Sequence, residues 1–393
     1  MKALKIGVIG AGGRGNVANY AHRPEEGFEV VAGADTNPEA LKAFGERIGS
    51  EGLLLTADYR EVLAREDIET VFVTTPDFLH EEQAAAALEA GKAVYLEKPM
   101  AITIEGCDRL LETAYRTGSK LFLGHNMRHF QSILKMKEII DSGVIGKIQA
   151  VWCRHFIGYG GDAYFKDWHS EQQYSNGLLL QKGAHDIDVI HWLAGGYTTS
   201  VVGMGMLSVY DKCKRRESSA RGDASWHQSN WPPLSQVGMS PQIDVEDHNM
   251  IMLQMDNGVQ ASYLQCHYTP DSERNYTFIG TQGRLENIGD SGECEVHVWT
   301  QRGGRPTPDV IHKLKAVEGS HGGSDPDIVD SFLHFVRDGI RTRTSPVAAR
   351  QAVAVGVMGH KSMRTGGAMQ PIPPLPPQWL DYFENGQGAS AEG

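Results

Sequence analysis

Lys5-Ile6-Gly7-Val8-Ile9-Gly10-Ala11-Gly12-Gly13-Arg14-Gly15 decides how the N-terminal third of this chain folds. The apolar run before Gly10 reads as a buried strand over 4–9. Gly10, Gly12 and Gly15 follow in G-x-G-x-x-G spacing, and a helix is expected from about Arg14 to Ala21. A second strand over 28–34 runs into Asp35, about twenty residues past the last glycine of the triplet. A glycine triplet alone says little. Between a strand and a helix, with an acid at that distance, it specifies a dinucleotide site. Gly10 permits the tight turn, Gly12 lets a pyrophosphate approach the backbone, and Gly15 lets helix and strand pack closely. Gly13 and Arg14 open the helix, whose first N–H groups face the phosphates. Asp35 is suited to the ribose hydroxyls and would repel a 2′-phosphate. Thr36 and Asn37 follow it, with no arginine, so NAD is expected over NADP.

Outward from this loop, strands are expected at 70–75, 93–97 and 120–124, with helices at 38–48, 79–90 and 103–117. Such alternation marks a parallel sheet. From about residue 148 the pattern changes to strands at 148–156, 201–210, 248–255, 259–268, 274–280 and 294–299. Asp256-Asn257-Gly258 is a hairpin signal and Thr281-Gln282-Gly283 a turn. One helix is read near 182–194 and two late ones at 326–338 and 346–365. The tail from Pro371 holds five prolines in seven residues and reads as non-helical, and its end, 386–393, as mobile. Residues 211–243 form a long loop carrying Trp226 and Trp231. It reads as a substrate lid or subunit contact, since indole stacks on a sugar's C–H face, or equally as a loop folded on its own body.

The 393 residues, 40% hydrophobic and 22% charged, suit a soluble protein of two domains. A net charge of −12 argues against nucleic acid, and no apolar run is long enough for a membrane span. Cys107, Cys153, Cys213, Cys266 and Cys294 are scattered, so neither a disulfide framework nor a thiolate zinc site is indicated. No metal ligand pattern is seen. The first strand leaves no room for a leader, and a cytoplasmic setting is expected.

Three polar clusters follow strands where ligands bind in such sheets. Thr75-Pro76 with His80 follows the strand at 70–75, Glu97-Lys98-Pro99 the strand at 93–97, and His125-Asn126-Met127-Arg128 the strand at 120–124. Val94-Tyr95-Leu96-Glu97-Lys98-Pro99 resembles the E-K-P signature of the Gfo/Idh/MocA oxidoreductases. The resemblance extends to the glycine loop, the Thr75–His80 segment, Gly283-Arg284, and Leu180-Gln181-Lys182-Gly183-Ala184-His185-Asp186-Ile187-Asp188 followed by His191-Trp192-Leu193.

The resemblance implies a Rossmann doubly wound parallel sheet followed by an α/β domain with a large, mostly antiparallel open sheet. Boundaries are placed at 1–124, 125–345 and 346–393. It implies oxidation or reduction of one hydroxyl of a sugar, sugar derivative or cyclitol, and assembly through the sheet as a homodimer or homotetramer. Lys98 and His185 are implied as the catalytic pair, with Asp188 one turn on to orient the histidine. A hydride leaves only as the hydroxyl loses its proton, and a partly desolvated lysine or an imidazole can take it.

The chain departs from the family at Gln181, where many members carry an aspartate. Glutamine cannot be a carboxylate base, so Lys98 and His185 carry more of the work, and Gln181 is left to bind a hydroxyl. Thr75, Pro76, His80, Glu97, Lys98 and Asn126 are assigned to the cofactor. Arg128, Arg154, His155, Gln181, Lys98 and His185 are assigned to the substrate. Two rival readings follow from relatives: redox-neutral glycoside cleavage through transient oxidation at a sugar C3, and a non-catalytic sensor.

Overall fold

The computed structural model describes residues 3–218, 230–290, 292–303, 307–317 and 320–387. The chain divides into two units: Met1–His129 with Gly319–Arg350 and Pro374–Gly393, and Phe130–Glu318 with Gln351–Pro373. The first unit begins with β1 (Leu4–Ile9), β2 (Phe28–Ala34), α1 (Pro38–Ile48), β3 (Leu54–Thr56), α2 (Tyr59–Leu63), β4 (Thr70–Val73), α3 (His80–Glu89), β5 (Ala93–Leu96), α4 (Ile104–Thr117) and β6 (Leu121–Leu123). The six strands are all parallel, in the order β3-β2-β1-β4-β5-β6, so the winding reverses between β1 and β4. Strands β4, β5 and β6 are buried at every residue, as a sheet covered on both faces requires. Helix starts follow local capping: the Asn37 side chain accepts from Glu39 N and the Thr103 hydroxyl from Gly106 N.

The segment after the glycine loop, Gly13–Ala21, is a 3-10 helix rather than the expected α-helix. Gly13, Gly15, Asn16, Val17 and Asn19 are all poor helix formers, which explains the tighter, less regular turn. Strand β3 and helix α2 are additions to the elements anticipated. They are short and carry weak periodicity.

The second unit opens with α5 (Gln131–Asp141), β7 (Ile148–Phe156), α6 (Gly160–Ala163), α7 (Gln172–Ser175), α8 (Leu178–Gln181), α9 (Gly183–Ala194) and β8 (Thr198–Met206). The short β9 (Lys214–Arg215) and β10 (Val237–Met239) pair with each other. Then come β11 (His248–Met255), β12 (Gln260–Cys266), β13 (Glu273–Gly280), β14 (Arg284–Ile288), β15 (Cys294–Trp299) and β16 (Val310–Leu314). With the later β17 (Gln370–Pro371) they make a nine-stranded sheet, β16-β15-β14-β13-β7-β12-β11-β8-β17. Only the β7–β12 pair is parallel, so the sheet is mostly antiparallel, as expected.

The Asp256–Gly258 hairpin forms, with Met255 N on Val259 O and Gly258 at φ +87°. The strand read to residue 210 stops at Met206, and Tyr210–Lys212 is a 3-10 turn. One face of this sheet is covered by α5 and α9. On the other, Trp152, Met204, Met206, Met250 and Met252 are each more than half exposed, and Met250 lies directly across from Met204.

The loop at 211–243 is partly folded on its own unit. Tyr210, Cys213, Met239, Ile243 and Val245 pack with Ile157, Tyr164, Phe165 and Leu178. Asn230 and Gln236 both donate to Asp162 Oδ1, at 2.6 and 3.0 Å. Trp231 is exposed, and Trp226 lies outside the described residues.

The closing helices are α10 (Ser324–Asp338), α11 (Pro346–Arg364) and α12 (Pro377–Glu384). Helix α10 belongs to the first unit, so contiguous boundaries at 124 and 345 do not describe the division. The reason is packing. Ile328, Val329, Phe332, Leu333 and Phe335 fill the core of the parallel sheet, with Phe332 edge-on to Phe72 and Tyr95. The proline tail also differs from expectation. Helix α12 starts at Pro377, because proline is tolerated in a first turn. Of the expected mobile end, Gln387 is anchored: its amide accepts from Leu121 N and donates to Leu121 O, both at 2.8 Å, completing the edge of β6. Residues 388–393 lie outside the described residues.

Candidate functional site

In the first unit, Ile9, Ala34, Val73, Leu96 and Leu123 stand level across the sheet. Gly10, Asp35, Thr74, Glu97 and Gly124 therefore leave one carboxyl edge side by side. Gly10 has φ +92°, and a Cβ there would meet the Thr74–Thr75 peptide at 2.8 Å. At Gly15 a Cβ would lie 2.2 Å from Gly10 O. Both glycines are thus required by the fold of the loop itself. Asp35 Oδ2 accepts from Gly12 N at 3.0 Å and Oδ1 from Asn37 N at 2.9 Å, which fixes the carboxylate beside the loop.

Glu97 is almost fully buried. It accepts from Arg14 Nε at 2.7 Å, Tyr95 OH at 3.3 Å and the Lys98 backbone N at 3.2 Å. Arg14 also makes a bidentate pair with Asp325 of α10, at 2.7 and 2.9 Å. Asn126 Nδ2 and His321 Nδ1 meet the same carboxylate, at 3.1 and 3.0 Å. Burial raises the Asp325 pKa, but the bonds from His321 and Arg14 outweigh it and hold the group well below the usual carboxylate range. Burial works against the Arg14 cation, and Glu97 and Asp325 overcome it.

Arg14 and Glu97, both assigned to the cofactor, are engaged with each other. Asp325 was not anticipated. It lies more than three hundred residues from Arg14, and nothing local in the sequence marks the pairing.

His80 is another residue that holds others. Its Nδ1 lies 2.7 Å from Pro99 O and its Nε2 2.9 Å from Thr75 O, so one ring stands between two loops, and a neutral ring donates to one of the two carbonyls. Thr75 Oγ1 donates to Gln83 at 2.6 Å, and Pro76 is half-buried beside it. Arg128 is buried and donates to Arg343 O. Lys98, just past the end of β5, is the one partly exposed residue in the otherwise buried run 92–101.

In the second unit Gln181 ends α8, Lys182 lies between the helices, and His185 stands in the first turn of α9. Gln181 is buried, and Lys182 and His185 are half-buried. Lys182 Nζ lies 3.5 Å from Tyr159 OH and 4.9 Å from the centre of the Tyr164 ring, an ammonium held by aromatic faces. Asp188 is buried. His155 is buried on the helix-covered face of β7. Arg154, expected to share a substrate site with it, is exposed and pairs with Glu273 at 3.5 Å. The pleat of the strand sends the two neighbours to opposite faces, so they do not meet one ligand.

A family model for an oxidoreductase family with an NAD-binding Rossmann fold matches residues 4–125, and one for the GFO/IDH/MocA C-terminal domain matches 133–286. The chain belongs to the GFO/IDH/MocA oxidoreductase family. An inositol 2-dehydrogenase of Pseudomonas savastanoi pv. phaseolicola is 35% identical over 205 residues, covering 51% of this chain and 57% of that protein. A 2,7-anhydro-N-acetylneuraminate hydratase of Mediterraneibacter gnavus is 30% identical over 206 residues, covering 52% and 53%. The chain spans about half the length of the first curated relatives it matches. Among solved structures, levoglucosan dehydrogenase in complex with NADH and levoglucosan superposes with a TM-score of 0.77 at 20% identity, covering 95% and 100%. That likeness shows a shared fold.

The GFO/IDH/MocA glycine loop in this chain fits a dinucleotide on its own geometry. Gly13 has φ +44° with nothing near the place of a Cβ, and Asp35 stands beside Gly12. The Oδ1 atom of Asn126 is sealed from solvent without a hydrogen-bond partner among the described residues, an acceptor set for a donor from a ligand.

Proposed function

We propose that the protein is an NAD-dependent oxidoreductase that takes a hydride from a secondary hydroxyl of a sugar, sugar derivative or cyclitol. The observation that carries this is the level carboxyl edge of the parallel sheet, which the glycine loop, Asp35 and the partly exposed Lys98 leave from β1, β2 and β5. NAD, when bound, supplies the hydride acceptor. Gly10, Gly12, Gly13 and Asp35 hold it, with Asn126 as a further acceptor. Lys98 and His185 are assigned the proton that the hydroxyl must lose. Gln181 and His155 bind neighbouring hydroxyls, with Lys182 beside them. The exposed methionine face of the nine-stranded sheet is the surface through which two copies assemble, since apolar patches of that extent mark interfaces.

Mixing the protein with NAD and a panel of inositols, aldoses and anhydro-sugars tests the reading at 340 nm. NADH is expected from at least one polyol, and Lys98→Ala is expected to lower kcat/KM at least about a hundredfold. Equal turnover by native and Lys98→Ala protein contradicts the assignment. The hydratase relative favours a second reading, in which oxidation is transient and product forms without net NADH. Product analysis beside the absorbance trace separates the two.

A further inference from the structure

Asp186 follows His185 in the first turn of α9, and its side chain is fully inaccessible. His155 Nδ1 lies 3.0 Å from its Oδ2, and Tyr263 OH donates to the same oxygen at 2.9 Å. Tyr276 OH donates to Oδ1. Arg274 Nε stands 2.8 Å from Oδ1, an ion pair without good hydrogen-bond alignment. The guanidinium's other arms reach Asp290 at 2.9 Å and come within 3.4 Å of His155 Nδ1, a longer contact than the 3.0 Å between that nitrogen and Asp186. A carboxylate at this depth is costly unless saturated in this way, and a saturated carboxylate has no lone pair left for substrate.

The saturation fixes the neighbour. A carboxylate can only accept, so His155 carries its hydrogen on Nδ1. No hydrogen bond among the described residues reaches Nε2, and Nε2 is not among the sealed polar atoms. The groups facing the ring are Asp186, Lys182, Arg274, Tyr263 and His267. Burial first, then Arg274, lower the imidazole to about 4 against the pull of Asp186, and Lys182 adds to the lowering. At neutral pH the ring is uncharged and Nε2 is an acceptor only.

We propose that Asp186 is a positioning residue that locks His155 as the Nδ1–H tautomer, so that Nε2 accepts a hydrogen bond from one ring hydroxyl of the polyol. The inference rests on the polyol reading given above. An acceptor-only atom recognises a hydroxyl and rejects its O-methyl or deoxy analogue, because the analogue brings no donor.

Nitrogen-15 NMR of the full chain labelled at histidine tests this without turnover, with His155→Asn assigning the signal. His155 is expected with Nδ1 protonated and Nε2 bare from pH 8 to 5. Asp186→Asn, which can donate to the ring, is expected to move the proton towards Nε2. An Nε2–H tautomer or an imidazolium in the native protein at pH 7 overturns the proposal, as does an unchanged tautomer in Asp186→Asn.

Should Asp186→Asn fail to fold, the native tautomer and the variant His155→Asn decide. The asparagine keeps a donor for Asp186 and removes only Nε2. For whichever of myo-inositol and levoglucosan binds by calorimetry in the presence of NADH, the Nε2 resonance is expected to move. His155→Asn is expected to weaken that binding about tenfold, the worth of one hydrogen bond, at unchanged melting temperature. A polyol that binds with Nε2 unmoved, or equally well to His155→Asn, overturns the proposal. Absence of binding by either polyol counts against the oxidoreductase reading, while the tautomer result still tests Asp186.

Discussion

Asp325 determines how the glycine loop is held, because its two oxygens close a fork around Arg14 while Glu97 takes the third donor. Asp325→Ala leaves Arg14 paired with Glu97 but takes the partner from its two other donors. It is therefore expected to destabilise the protein by about 1–3 kcal/mol, read from urea unfolding. A loss below about 1 kcal/mol would mean that solvent or His321 replaces the carboxylate. Residues of this kind also show which parts of the site the sequence reveals. Gly10 and Gly15 are legible because a positive φ or a 2.2 Å approach is a local demand that only glycine meets. Asp35 is legible because its distance from the loop is set by one βαβ unit. Arg14 and Glu97 were legible as site candidates but not as partners, since they are 83 residues apart and no local pattern marks the pairing.

At the scale of elements, strongly patterned segments were readable and weakly patterned ones were not. Strands β1, β2, β4 and β5 and helices α1, α3 and α4 stand where alternation and capping put them. Strands β3, β14, β16 and β17 were not readable, and none of them holds the three consecutive apolar residues that mark the equally short β4 and β5. The pleat of β7 is a further case. Sequence adjacency grouped Arg154 with His155, and strand geometry separates them.

The exposed face of the nine-stranded sheet carries the prediction proper to this scale. Met204 and Met250 sit opposite one another on β8 and β11, both with most of their side chains in solvent. The double variant Met204→Asp with Met250→Asp is expected to convert a dimer or larger assembly to monomer by light scattering, with the melting transition of the monomer retained. An unchanged mass would show that the copies meet elsewhere, or not at all.

At the scale of the whole molecule, burial depresses the pKa of five histidines among the described residues: His80, His129, His155, His267 and His360, with His129 and His155 near 4. Unfolded, each titrates near 6.5. Between those values the unfolded chain binds protons that the native protein does not, so stability is full above about pH 6.5 and falls as pH drops. The slope approaches about 1.4 kcal/mol per pH unit for each histidine. The depressed carboxylates Asp67, Asp186 and Asp325 add their own loss only once pH passes below the ordinary carboxylate range. Urea midpoints are expected to be level from pH 8 to 7 and to fall steadily from 6.5 to 5. A flat profile to pH 5 would show that these rings gain protons without cost.

Among the described residues no helix is long and apolar enough to cross a membrane. The same five cysteines that framed no disulfide pattern are free thiols.

Helix α10 and Gln387 complete the parallel sheet although they follow the whole second unit in sequence. A nascent chain that has just left the ribosome through β6 has six strands but no helix to cover Phe72, Tyr95 and Phe122, and Arg14 has no Asp325. At ordinary elongation rates the missing piece emerges on the order of 10–40 s later. The dinucleotide half therefore matures last even though it is translated first. Until then its aromatic core is a surface that chaperones can read.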